Sequence, residues 1–162
     1  MDSRVSEPAY TIVVGVDGLP AGQAALLWAV KEARAHNGSI RVVHAWTSPY
    51  DWQIEVTVPP DETRLRREAQ GRLDKALSGV DTRGVEFQAK LVEGDPRRVL
   101  LDAAREADLL VVGSDGCGPI REILLGSVSS YCAHHASGPV VVVHTGRRSA
   151  RSQRSRPITA SP

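Results

Sequence analysis

The residues most suited to chemistry run from Gly113 to Ser127: Gly-Ser-Asp-Gly-Cys-Gly-Pro-Ile-Arg-Glu-Ile-Leu-Leu-Gly-Ser. An unbroken apolar run, Leu109 to Val112, precedes them and has the character of a buried parallel strand. Val128 to Ala136 follows as a helix, with Gly138-Pro139 to stop it. A chain that leaves a strand, crosses glycines and starts a helix at Gly126-Ser127 presents unpaired N–H groups and the positive end of a helix dipole. Both favour phosphate. Gly113, Gly116 and Gly126 are expected to let the backbone take positive φ and come close to a ligand, and Ser127 and Ser129 to add hydroxyl donors. On spacing alone, an ordinary strand-to-helix loop rich in turn residues explains the stretch about equally well.

Other chemistries are disfavoured. No Gly-x4-Gly-Lys-Ser/Thr is present, and Lys31, Lys75 and Lys90 all lie outside the glycine stretch. A P-loop, with its lysine on the β- and γ-phosphates, is excluded. Phosphate charge would have to be met by backbone N–H groups, serines, Mg²⁺ and Arg121, although an arginine in a loop is more often merely solvated. His134 and His135 are neighbours, about 100° apart on a helix, and suit the surface better than a shared metal. Cys117 follows a glycine and reads as a spectator thiol, with a redox role as the alternative. No Ser/His/Asp set carries a nucleophile elbow. Asp17 ends an apolar strand before Gly18, where an Asx-turn carboxylate is the ordinary reading.

The elements that must position these residues alternate. Tyr10–Val16 is a strand. Pro20 starts a helix whose Leu26, Ala29, Val30 and Ala33 share one face, and Asn37-Gly38 ends it. Ile40–Trp46 is a strand, and 47–60, with three prolines, reads as a loop. Asp61–Leu77 is a helix turning Leu65, Ala69, Leu73, Ala76 and Leu77 inward. Val85–Val92 is a strand, and Asp95-Pro96 caps a third helix lined by Val99, Leu100, Ala103 and Ala107. The strand at Leu109, the glycine stretch, the fourth helix and a strand at Val140–His144 complete the series. This order predicts an open, mainly parallel α/β sheet with helices on both faces and right-handed crossovers.

Gly113-x2-Gly116-x9-Gly126-Ser127 resembles the ATP-binding signature of the universal stress protein family. The flanks agree: Glu122 to Ser129, the closing Gly138-Pro-Val-Val-Val-Val143, the opening Ile12-Val-Val-Gly-Val-Asp17-Gly, and Val42-Val-His-Ala45. The likeness covers about residues 9 to 145. It implies a Rossmann-like fold of the adenine nucleotide alpha hydrolase type, with five strands in the order 3-2-1-4-5. In such a sheet ligands bind outside the carboxyl ends of the strands at the switch point, here between the first and fourth. The resemblance therefore implies an ATP site formed by Gly15, Val16, Asp17, Ala45, Val112, Gly113, Gly116, Gly126, Ser127, Val128 and Ser129. In it the Ala45 backbone reads the adenine edge, and Asp17 is a candidate for the ribose or a bound Mg²⁺. Asp115 departs from the family, which often has a basic or neutral residue there. The resemblance also implies a homodimer in which the last strands, Val140–Val143, pair.

Composition is consistent with this. The 162 residues suit one domain, and 41% hydrophobic with 24% charged residues is ordinary for a soluble globular protein. No apolar run approaches the roughly 20 residues that span a bilayer. Met1–Pro8 is polar, so no secretory signal is expected there, and two cysteines without metal spacing fit a reducing, cytoplasmic setting. The net charge of +1 hides an asymmetry, because five arginines and no acids follow Gly146, leaving 15 basic against 19 acidic residues elsewhere. Residues 1–8 and the Arg/Ser-rich 147–162 are expected to be disordered around a domain at 9–146, and a nucleic-acid role for the tail is disfavoured. The expected function is an ATP-binding, Mg-assisted regulator in stress response with an unidentified protein partner. At most it would turn over ATP slowly. The alternatives are a nucleotide-free dimeric interaction module and an electron-transfer flavoprotein-like domain.

Overall fold

The computed structural model describes residues 10–48, 61–114 and 125–145. Five parallel strands form one sheet: β1 (Thr11–Gly15), β2 (Ser39–Trp46), β3 (Glu86–Glu93), β4 (Leu109–Gly113) and β5 (Val140–Val143). Their order is β3-β2-β1-β4-β5, as the resemblance implied. Four helices connect them: α1 (Pro20–His36), α2 (Glu62–Leu77), α3 (Pro96–Ala104) and α4 (Ser127–His135).

The inner strands β1 and β4 are apolar along Ile12–Val14 and Leu109–Val112 because both their faces are covered. In β1, Ile12 and Val14 join a core cluster with Leu26, Ala29 and Leu73, while Val13 joins a second with Leu100 and Cys132. Alternation along a strand sends neighbours to opposite faces, so one strand feeds two cores. The edge strand β3 is different, exposing Glu86, Gln88 and Lys90. The opposite edge, β5, carries four half-buried valines.

Local chemistry sets the helix ends. Pro20 opens α1, and Asn37 closes it in the left-handed conformation at φ 52°, its N–H returning to the Ala33 and Arg34 carbonyls. The Asp61 carboxylate caps α2 by accepting from Arg64 N–H at 3.1 Å, and Asp95 caps α3 by accepting from Arg97 N–H at 2.9 Å. The third helix is shorter than its apolar period suggested. It ends at Ala104, so Ala107 packs on the second cluster from the turn beyond. The loop expected at 47–60 lies outside the described residues apart from its first two positions.

Candidate functional site

The carboxyl ends of β1 and β4 diverge at the switch point, and a cleft of about 160 Å³ opens there. Gly15, Val16 and Asp17 come to it from β1, Val43 to Ala45 from β2, and Val112 and Gly113 from β4. Three helices also point their first turns at it: α1 through Ala21 and Gly22, α3 through Pro96, and α4 through Ser127, Val128 and Ser129. The start of α4 brings N–H groups without intrahelical acceptors, whereas α1 and α3 open on Pro20 and Pro96 and the Asp95 carboxylate takes the Arg97 N–H; the converging dipoles still favour an anion. Nine of the residues expected at the site from sequence line this cleft. Of the other two, Gly126 is buried at the start of α4, and Gly116 lies outside the described residues, as do Asp115, Cys117 and Arg121.

Asp17 makes the Asx turn that its neighbours suggest, its Oδ1 accepting from Leu19 N–H at 2.9 Å, and it also lines the cleft. The loop turns at Gly18, φ +78°, against the Arg72 backbone of α2. Gly22 lets the first turn of α1 lie against the carboxylate, since a Cβ there would come within 2.7 Å of Asp17 Oδ1. At the other end of the site, Ser114 N–H donates to the Val143 carbonyl at 2.9 Å. Gly126 N–H donates to the Ser114 carbonyl at 3.2 Å, so the two ends of the glycine stretch meet.

Two of the glycines work differently from the sequence expectation. Neither Gly113 nor Gly126 has positive φ; Gly126 sits at φ −59°, which any residue adopts. Gly113 is required by packing, because a Cβ would lie 2.5 Å from the Ala21 carbonyl carbon of α1. Its small size lets α1 start against β4. Ser129 is 1% exposed and donates its hydroxyl to the Gly126 carbonyl at 3.0 Å, so its proton fixes the helix start and is not free for a ligand. Among the described residues no group of three His, Cys, Asp or Glu side chains could hold a metal. His134 and His135 are exposed on α4, each ring turned back to a carbonyl one turn earlier. Cys132 is wholly buried, and burial pushes its thiol pKa up.

Sequence reasoning missed Ala21, Gly22, Val43, Pro96 and Leu100. Pro96 was visible only as a helix start, and its convergence on the site depends on the strand order. Gly22, a glycine in a first helical turn, was the available signal of close approach. The side chain of His44 was missed too. It is 4% exposed, and its Nδ1 lies 2.7 Å from the Val16 carbonyl.

An open parallel α/β sheet whose switch-point cleft gathers three helix N-termini defines a class of small domains shaped for anionic ligands. Comparison with known proteins identifies the group within it. The universal stress protein family profile matches residues 10–144, and the chain belongs to that family. A universal stress protein of Mycolicibacterium smegmatis is 34% identical over 159 residues, covering 92% of this chain and 53% of its own. The chain spans about half the length of the curated relatives it matches. A crystal structure of a universal stress protein in complex with cAMP is 31% identical, with a TM-score of 0.56, covering 86% of this chain and all of its own. The universal stress protein from Archaeoglobus fulgidus in complex with dAMP is 28% identical, with a TM-score of 0.60, covering 83% and 97%. Among the described residues no helix is long and apolar enough to cross a membrane.

Proposed function

We propose that this chain binds an adenine nucleotide, ATP with Mg²⁺ in the cell, and acts as a nucleotide-dependent regulator in the cytoplasm. The observation that carries this reading is the convergence of three helix N-termini on the cleft at the carboxyl ends of β1 and β4. Two related structures, with cAMP and with dAMP, support an adenine ligand. Gly15 to Asp17 meet the ribose, the Ala45 backbone reads the base, and Val112, Gly113, Gly116 and Gly126 to Ser129 cradle the phosphates. Mg²⁺ commonly keeps its waters and takes one or two carboxylates beside phosphate oxygens. Asp17 fits that modest demand, with Oδ1 held in its turn.

The reading favours regulation over rapid catalysis: phosphoryl transfer depends on positioned charge around the γ-phosphate, and among the described residues no lysine lines the cleft. The β5 edge supports a homodimer. It is a short apolar strand without the proline or lysine that guards an edge, and pairing with a second copy by two-fold symmetry closes it.

The test is to denature the purified protein and analyse what it releases. ATP or another adenine nucleotide in near-equal amount to protein is the expected result. A chain that releases none and binds none when Mg-ATP is added is the dimeric interaction module without nucleotide.

A further inference from the structure

We infer that His44 is a positioning residue which diverts the Val16 carbonyl and so leaves the Ala45 N–H for the ligand. Odd-numbered residues of β2 turn their backbone groups toward β1, as the Val43 carbonyl shows by accepting from Val16 N–H at 3.0 Å. The next rung on that side would join Ala45 N–H to the Val16 carbonyl. A side chain takes that carbonyl instead, the His44 ring nitrogen Nδ1 at 2.7 Å. A carbonyl only accepts, so Nδ1 carries a proton and donates it to Val16.

Nε2 is buried and has no hydrogen-bond partner among the described residues. A leucine would fill such a position without stranding a polar atom, so the imidazole is costly as core filling. Its return is the bond to Val16. That bond ends the ladder between β1 and β2 one rung early, at Val16, which itself lines the cleft. A strand end whose N–H is not consumed by its neighbour can read the hydrogen-bonding edge of a base. The inference about the ligand rests on the proposed nucleotide site; the inference about the backbone does not.

The experiment compares wild type with His44→Asn, His44→Leu and His44→Gln. Asparagine places an amide nitrogen near the Nδ1 position and keeps the donation, whereas leucine has no donor and glutamine places its nitrogen too far out. The first readout is amide exchange without nucleotide. With the Val16 carbonyl released, Ala45 N–H should exchange roughly tenfold more slowly in the Leu and Gln variants than in wild type or the Asn variant. The second readout is calorimetric binding of ATP and GTP. The Leu and Gln variants should bind ATP about tenfold more weakly and lose preference for ATP over GTP, with the Leu variant melting no lower than wild type, and Asn should restore both. Unchanged Ala45 exchange in every folded variant overturns the inference, as does ATP affinity within about twofold of wild type in the Leu and Gln variants. Wild type that binds no adenine nucleotide overturns the proposed function and the ligand half of this inference, and the exchange result then decides the backbone half.

Discussion

At the scale of single residues, the site is governed by atoms that are absent as much as by those present. Gly113 has no Cβ because the backbone of Ala21 occupies that space. Gly113→Ala should therefore destabilise the fold itself, by about 1–3 kcal/mol as an overpacked core position does, visible as a lower denaturation midpoint without nucleotide. A variant as stable as wild type would show that α1 can shift freely away from β4. Gly126 sits at φ −59°, so in a Gly126→Ala variant that melts like wild type a loss of nucleotide affinity would report obstruction of the ligand. Cys132 gives a second residue-scale test. Its thiol is fully buried and its pKa is pushed up by that burial, which leaves little accessible thiolate at neutral pH. In a Cys117→Ser background, a thiol reagent should leave the native protein unlabelled and react fully once denaturant is added. Rapid labelling of the native protein would mean that α4 opens readily from the sheet.

At the scale of elements, α3 joins the core to the cleft, and its start is a charged cap. Asp95 accepts from Arg97 N–H, and the Arg97 guanidinium, 2.6 Å away, holds the Asp95 carboxyl below the usual carboxylate range. A carboxyl whose folded pKa is depressed contributes stability above its unfolded pKa, and that contribution is lost as the pH falls through the folded value. Asparagine still caps a helix but cannot form the ion pair. The stability difference between wild type and Asp95→Asn should thus be constant above pH 5 and close as the pH drops below about 4. Asp95→Ala should cost about 1 kcal/mol more through loss of the cap, as denaturant melts would record. The Asp95 cap, the Pro20 start, the Asn37 end and the helix faces were readable in sequence because these residues act on their own neighbours. The same holds for the apolar runs of β1 and β4, which are buried on both sides. Asp61, read as the first residue of its helix, stands one position before it as the cap. What could not be read locally was contact between distant segments. The packing of Gly113 on Ala21, the bond from Ser129 to Gly126, and the capture of Val16 by His44 all depend on how strands and helices are brought together. The strand order came from the family resemblance, and only that order turns Pro96 from a cap into a cleft residue.

At the scale of the whole molecule, β3 and β5 end the sheet in opposite ways. Charged side chains protect β3, whereas β5 ends the sheet with four half-buried valines. Val141→Lys and Val143→Lys together should convert a dimer to a monomer or make the chain insoluble, since lysines on an edge disfavour pairing. Light scattering at tens of micromolar is the check, and a wild-type chain that is already monomeric with and without ATP would refute the assembly. The central claim concerns the cleft that the molecule builds at its switch point, and a ligand specific for the native state must raise stability by mass action. The most direct measurement is the melting temperature of purified, dialysed protein with and without Mg-ATP. ATP at 100 times its dissociation constant should raise the melting temperature by the equivalent of about 2.7 kcal/mol. A melting temperature unmoved by millimolar Mg-ATP, in protein that carries no nucleotide of its own, would contradict adenine nucleotide binding.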